Sequence, residues 1–288
     1  MMTFDVQSWW FCLTAIAVLN VSIWCATAYS LRRRRDTLPA EIHRIRLIQL
    51  GLSAAYVLGC GFRSVLPVYD VPRVVMLDTW LSSVAMGRSV ATVAELCFVA
   101  QLAVMLHEFA RATGSHYARR VSWFVVPLIA VAEVCSWYSV LTTDNIGHVI
   151  EESLWGLTAA LMVTGLIAMR ARVTQTMRYI LDGSCSIGTA YVAYMLLVDV
   201  PRYFERWVAD EAVGRAYLTI ESGLVDVASR WTVSHSWQLW HGEMIWMTLY
   251  FSVAVWFSVA LIHAPHAVAN AEPTTPPRAA LGHRITAA

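Results

Sequence analysis

Seven separate runs of about 20 mostly apolar residues are spaced along the chain, and that pattern leaves few folds open. Inside a bilayer every backbone polar group must be satisfied within the protein, so runs of this length form helices. A membrane barrel would show alternating segments of about 10 residues, which are absent here. With 58% hydrophobic and 14% charged residues, the chain is also too apolar for a soluble domain of 288 residues. The sequence therefore reads as an all-α integral membrane protein, a seven-span bundle over residues 1–263. The spans fall at about 8–31, 47–66, 86–110, 121–141, 150–170, 179–200 and 242–263, with the third helix starting earlier, near Asp78. Residues 264–288, rich in Ala, Pro and Thr, read as a disordered cytoplasmic tail.

Arginine sets the orientation. The first span is full length and is followed by Arg32 to Arg35, a pattern that stops and stays in the membrane instead of being cleaved. With the amino terminus outside, fourteen arginines lie in cytoplasmic segments: Arg32 to Arg35, Arg44, Arg46, Arg111, Arg119, Arg120, Arg170, Arg172, Arg178, Arg278 and Arg284. Five lie outside: Arg73, Arg202, Arg206, Arg215 and Arg230. The carboxyl terminus is then cytoplasmic, and in a bacterium the host membrane would be the inner one, since outer-membrane proteins are usually barrels.

The connection 201–241 is long for a plain loop. Val213, Tyr217, Ile220, Leu224, Val227 and Trp231 recur in it at spacings of four and three, which predicts an amphipathic outer helix between spans 6 and 7. Such a helix lies on the membrane surface or caps the mouth of the bundle. Tryptophan is lopsided as well. Ten of the thirteen (Trp9, Trp10, Trp80, Trp137, Trp155, Trp207, Trp231, Trp237, Trp240 and Trp246) map to the outer half, more than an interfacial belt explains.

The stretch Leu77 to Arg111 carries the strongest functional signal. It is apolar enough to cross a bilayer, yet holds Asp78, Arg88, Glu95 and Gln101. Charges within a span are costly and mark functional sites by default. On a helical wheel Asp78, Ser82, Ala85, Arg88, Ser89, Thr92 and Glu95 share one arc, while Ser83, Gly87, Ala91 and Ala94 form a small-residue flank for close packing. Further ionisable groups gather in the outer half: Arg63, Asp70, Glu133, Glu151, Glu152, Asp199, Arg202, His235, His241 and Glu243.

These residues predict an outward-facing polar pocket within the membrane. Arg63 and Arg88 would anchor an anionic group, because the guanidinium fork holds a carboxylate or phosphate with two hydrogen bonds. Asp78, Asp199, Arg202, Trp80 and Trp155 would complete the binding site. Glu95 and Glu133 would handle protons, since a carboxylate kept from water resists ionisation. The simpler alternative is a set of buried ion pairs fixing helix register. Glu151 and Glu152 open a helix, where complementing its dipole is the bland role for at least one of them.

Several classes drop out. All 21 basic residues are Arg, and without a lysine no retinal Schiff base can form. The six cysteines sit in predicted spans without a CxxC, which reads as packing and not as metal or disulfides. His235 and His241 are six residues apart, not at the spacing of helical metal ligands, and no His pair lies mid-bundle for haem. Neither a metal nor another cofactor is therefore expected. Net charge +1 argues against a nucleic-acid partner. GSCSIG at 183–188 is not a nucleophile elbow. Seven-span hydrolases of the alkaline ceramidase and adiponectin-receptor type carry a paired HxxxH in the last span; here that span reads HGEMIWMTLYFSVAVWFSVALIH, and the similarity stops at helix count. The leading expectation is an outer-leaflet site for a lipid or small anionic molecule, with membrane lipids as partners and enzymatic turnover as its first version. A proton-coupled transporter and a non-catalytic sensor or complex subunit are the alternatives; the absence of a detectable inverted repeat weakens the transporter.

Overall fold

A computed structural model describes residues 5–264. The expected tail lies, after its first residue, outside the described residues. Asp5 accepts from the Ser8 backbone at 2.8 Å and starts α1 (Val6–Arg33). There follow α2 (Ala40–Val65), α3 (Val84–Thr113), α4 (His116–Thr142) and α5 (Ile146–Met169). The sixth long helix is α6 (Gln175–Tyr194), a five-residue π turn (Met195–Asp199) and α7 (Val200–Ala212). After α8 (Ile220–Ser229), the seventh is α9 (Trp237–Leu249), a second π turn (Tyr250–Ala254) and α10 (Val255–Leu261). Seven of these helical units are long and apolar enough to cross a membrane, so the chain is an integral, multi-pass membrane protein.

Local chemistry sets the boundaries. Gly114 ends α3 in the left-handed conformation (φ 64°), which costs a residue without Cβ nothing, and the next residue, Ser115, caps α4. At the other end, α3 does not begin near Asp78. Thr79 caps a short 3-10 turn (Trp80–Ser82), and Ser83 then caps Met86 at 3.3 Å, so two competing caps break the helix before residue 84. The small flank of α3 does what its composition implies: a Cβ added at Gly59 of α2 would stand 2.7 Å from the Ala94 methyl.

Neighbours in sequence pack side by side from α1 to α6, and α9 with α10 closes against α1, α2 and α3. One apolar core gathers Trp9, Tyr56, Trp240 and Phe251; a second gathers Val99, Ile129 and Met169 from α3, α4 and α5. The sixth helix is peripheral. It packs chiefly on α5, and on α6 only Met177 and Leu181 are buried.

The end that carries the amino terminus is capped. Strands β1 (Val68–Tyr69) and β2 (Val74–Val75) pair antiparallel, and β3 (Thr232–Val233) joins β2 in parallel. Arg73 turns the hairpin at φ 60°, a strained value for a side chain, and is wholly buried. Its guanidinium donates to Asp226 Oδ2 (2.9 Å), to the Asp70 carbonyl (2.7 Å) and to the Val140 carbonyl (2.6 Å), tying the sheet, α8 and α4 together.

The helix expected between spans 6 and 7, α8, stacks on α4 and α3, with Gly223 against the Leu141 carbonyl. The expected apolar stripe is only partly realised. Val227 is buried, but Ile220 and Leu224 are exposed, and Val213 and Tyr217 lie before the helix. The sixth helix runs on to Ala212 and breaks at Gly214 (φ 61°), which puts those two residues on a different segment.

Candidate functional site

Arg88 is the hub of a buried charge cluster at the capped end. Its Nη2 lies 2.5 Å from Glu133 Oε2 on α4, 3.3 Å from Glu95 Oε2 two turns along α3, and 3.4 Å from Glu151 Oε1 on α5. Each of the four residues is more than nine-tenths buried. Burial on this scale is tolerable only because the charges compensate one another and are hydrogen-bonded.

A shell of neutral donors holds the carboxylates in place. Thr92 donates to Glu133 Oε2 at 2.6 Å and itself accepts from the Trp137 indole at 3.0 Å. The Tyr250 hydroxyl donates to Glu95 Oε1 at 2.9 Å. His148 Nδ1 donates to Glu151 Oε2 at 2.7 Å, and its ring packs against Tyr203, with centroids 5.0 Å apart. Arg63, near the end of α2, stands 3.9 Å from Glu95 Oε1 and over the face of Phe251.

Two features set the chemistry. The first is charge: two guanidinium groups face three carboxylates, which leaves one negative charge for a proton to balance. One oxygen from each of Glu95, Glu133 and Glu151 lies within 4.8 Å of the others. A cation could bridge such a triad, and Arg88 Nη2 takes that place. The second is unused hydrogen-bonding capacity. Arg63 Nε, Arg88 Nε, Glu133 Oε1, Asp70 Oδ1, the Tyr56 hydroxyl and Ser136 Oγ are buried without a partner. Among the described residues four arginines are buried: Arg46, Arg63, Arg73 and Arg88. Arg63 is the one that forms no hydrogen bond.

Both π turns serve this region. The wider turn beginning at Tyr250 brings that hydroxyl to Glu95, and the Phe251 carbonyl it contains is taken by Asn20 Nδ2 at 2.8 Å. The turn ending at Asp199 leads into a second group. There Arg202 lies 2.8 Å and Arg206 3.5 Å from Glu243 Oε1, and Trp246 donates to Glu243 Oε2 at 2.5 Å. Asp199 is partly exposed and forms neither a hydrogen bond nor an ion pair among the described residues.

Of the residues expected from sequence, the structure brings Arg63, Arg88, Glu95 and Glu133 together. Arg202 and Asp199 belong to the neighbouring group. Asp78, ahead of α3, accepts from Trp231 on the cap (2.9 Å), and Trp80 is exposed on the short turn. Trp155 packs with apolar residues of α3, α4 and α5. The helix-dipole role expected for at least one of Glu151 and Glu152 does not hold, because α5 starts at Ile146 and its first turn carries no acidic residue; sequence reasoning also missed His148 and Tyr250. The spacing of His148 and Glu151, three apart on one helix face, was available as a signal; a π turn has none.

A second polar network lies deeper along the same helices. Arg46, Gln49, Ser53, Tyr56, Cys60 and Arg63 repeat at three and four residues along α2, and all are buried. Gln49 and Gln101 each donate to the other's backbone carbonyl (3.0 and 3.1 Å), and Ser258 donates to Gln101 Oε1 at 2.5 Å. Reciprocal amide bonds of this kind clamp α2 to α3 and α10.

The chain matches no protein-family model, no curated protein and no solved structure.

Proposed function

We propose that this membrane protein binds a small anion or anionic lipid headgroup beside Arg63, and takes up a proton as it does so. The unused hydrogen bonds of the buried Arg63 guanidinium carry this reading, because a buried donor set without a partner costs free energy that a carboxylate or phosphate would recover. Arg88 is committed to three carboxylates and serves as the scaffold of the site. Glu95 contacts both arginines, so it competes with an incoming anion. A proton placed on Glu95 or Glu133 weakens that competition and offsets the charge the anion brings, so the net charge of the cluster is unchanged. Anion and proton therefore bind together, which is the elementary step of a proton-coupled carrier and of acid catalysis on a headgroup.

The arginine distribution supports a topology with the amino terminus and the cluster on the outer side. The test is native mass spectrometry of gently purified protein, wild type beside Arg63→Gln. A bound anionic mass in the wild type and its loss in the variant is the expected result. Bare wild-type protein, or equal retention by both, overturns the reading. Titration of the recovered compound in two buffers of different ionisation enthalpy then reads the proton: the two heats must differ.

A further inference from the structure

The proton that balances the cluster needs a route to it, and the structure offers one on α5. We infer that His148 is the port through which protons reach Glu95 and Glu133, with Glu151 as the intermediate carrier. This rests on the reading above for its purpose, though not for its test.

The geometry is a short file of proton-bearing groups. His148 lies in the first turn of α5, at the capped end, and its Nδ1 is 2.7 Å from Glu151 Oε2. The other oxygen of Glu151 is 3.4 Å from Arg88 Nη2, and a Glu151 oxygen lies within 4.8 Å of oxygens of Glu95 and Glu133. That last gap is one that a single hydrogen-bonded water spans. Tyr250 closes the far end on Glu95. His148 Nε2, by contrast, forms no hydrogen bond among the described residues, so its lone pair is free to receive a proton.

The transfer balances as follows. Neutral His148 donates Nδ1–H to ionised Glu151. A proton arriving on Nε2 makes the ring an imidazolium; the Nδ1 proton then passes to Glu151, which becomes neutral, and the ring is neutral again with its hydrogen on Nε2. Glu151 hands the proton to Glu133 or Glu95 and is ionised once more. The starting tautomer returns when water delivers a proton to Nδ1 and takes one from Nε2, an exchange with no net transfer. No electron moves, and one positive charge has travelled from the cap to the cluster.

The neighbours favour this direction. Glu151 is on the ring's own helix, and Arg88 of α3 with Glu133 of α4 lies beyond it. From α7, Tyr203 packs on the ring, and Arg206 covers Tyr203 at 5.2 Å, a positive charge held behind the aromatic plane. Asp144, in the turn ahead of α5, is engaged by the Ile146 backbone at 2.9 Å and by Tyr138, and does not compete for the imidazole. On α4, Ser139 holds the His148 backbone nitrogen at 2.8 Å, which fixes the ring's place.

Infrared spectroscopy of the protein in lipid nanodiscs tests the port without any ligand. A protonated carboxyl group gives a carbonyl band that shifts when its hydrogen exchanges for deuterium; loss of the band in Glu95→Gln or Glu133→Gln assigns it. After rapid dilution into heavy water, the shift should slow on the order of a hundredfold in His148→Gln, which keeps a donor for Glu151 but cannot carry a proton. Equal rates in the two proteins overturn the inference, and so does the absence of the band at every pH. Should that variant not fold, Glu151→Gln, which removes the intermediate carrier, must slow the exchange as well, and an unchanged rate overturns the port. Anion binding that depends on Arg63 would survive either failure, so the two proposals fall separately.

Discussion

Arg88 and Glu133 are 45 residues apart, on adjacent antiparallel helices, and meet at 2.5 Å with almost no solvent between them. The contact locks α3 to α4 at the depth where three carboxylates converge. Removing the guanidinium takes their shared cation from all three, leaving them only the partners Thr92, Tyr250, His148 and Arg63, so Arg88→Gln should lower stability by about 3–5 kcal/mol. Arg63→Gln should cost far less, because Arg63 gives up no hydrogen bond. Denaturant titration of both variants in micelles checks the contrast, and equal losses would contradict it.

The cap is predicted to loosen in acid. Asp226 is partly buried, which alone would raise its carboxyl pKa, but hydrogen bonds from Arg230 and Arg73 outweigh burial and hold it below the ordinary 3.8. A carboxyl group depressed by folding adds stability above its ordinary range, and that contribution is lost as pH falls through the folded value. Protection of the amides of α8 and β3 against hydrogen exchange, relative to their intrinsic rates, should therefore be steady near neutrality and fall below about pH 4. Asp226→Asn should remove most of that pH dependence and weaken the cap by about 1–3 kcal/mol.

Gly223 lets α8 touch the bundle. A Cβ there would collide with the Leu141 carbonyl, which is backbone and cannot step aside. Gly223→Ala should cost about 1–3 kcal/mol by overpacking and open the segment 213–232 to protease. Gly214→Ala, with open space around it but φ 61°, should cost about 1 kcal/mol from the backbone alone. Limited proteolysis of the two variants side by side separates collision from strain.

Asn20 is buried within α1, and it donates to the Phe251 carbonyl while accepting from Trp256 at 2.9 Å. Asn20→Leu leaves the Phe251 carbonyl, in the core, and the half-exposed Trp256 indole without their partner and should destabilise by about 1–3 kcal/mol. It should also shift Trp256 emission, read against Trp256→Phe. Unchanged stability would mean that the π turn needs no help from α1.

Much of this arrangement was legible beforehand. Arg88 and Glu95 share an arc of the third helix, and Glu133 is a lone charge deep in an apolar run; both are visible as periodicity and as cost. The seven spans follow from apolar length. Other features depend on contacts between segments. Whether Arg88 meets Glu133 depends on the register of α4 against α3, which no pattern within either helix records. A helix-dipole role for Glu151, which the start of α5 at Ile146 rules out, hid its partner His148. Asp78 was placed on α3 because the wheel extends through Thr79 and Ser83, yet those two hydroxyls compete as caps and end the helix first. The polar face of α2, with six residues at regular spacing, was there to be found; its members are uncharged in the middle and escape a search for charges.

The sixth helix acquires a mechanical meaning from how little of it is held. From Gln175 to Ala212 it is one helical rod of 38 residues, about 57 Å long. It is held along one side, by Met177 and Leu181 against Val173, Phe109 and Leu166, by Gly188 against Val163 and by Met195 against Gly156, and its other faces are unsupported by the bundle. A rod held along one side only is free to shift as a unit, and movement at its Arg178 end is carried to Arg202 and Tyr203, which grip Glu243 and pack on His148. Bilayer tension or a neighbour on one face of the membrane thus has a rigid arm reaching to the charged cluster near the other.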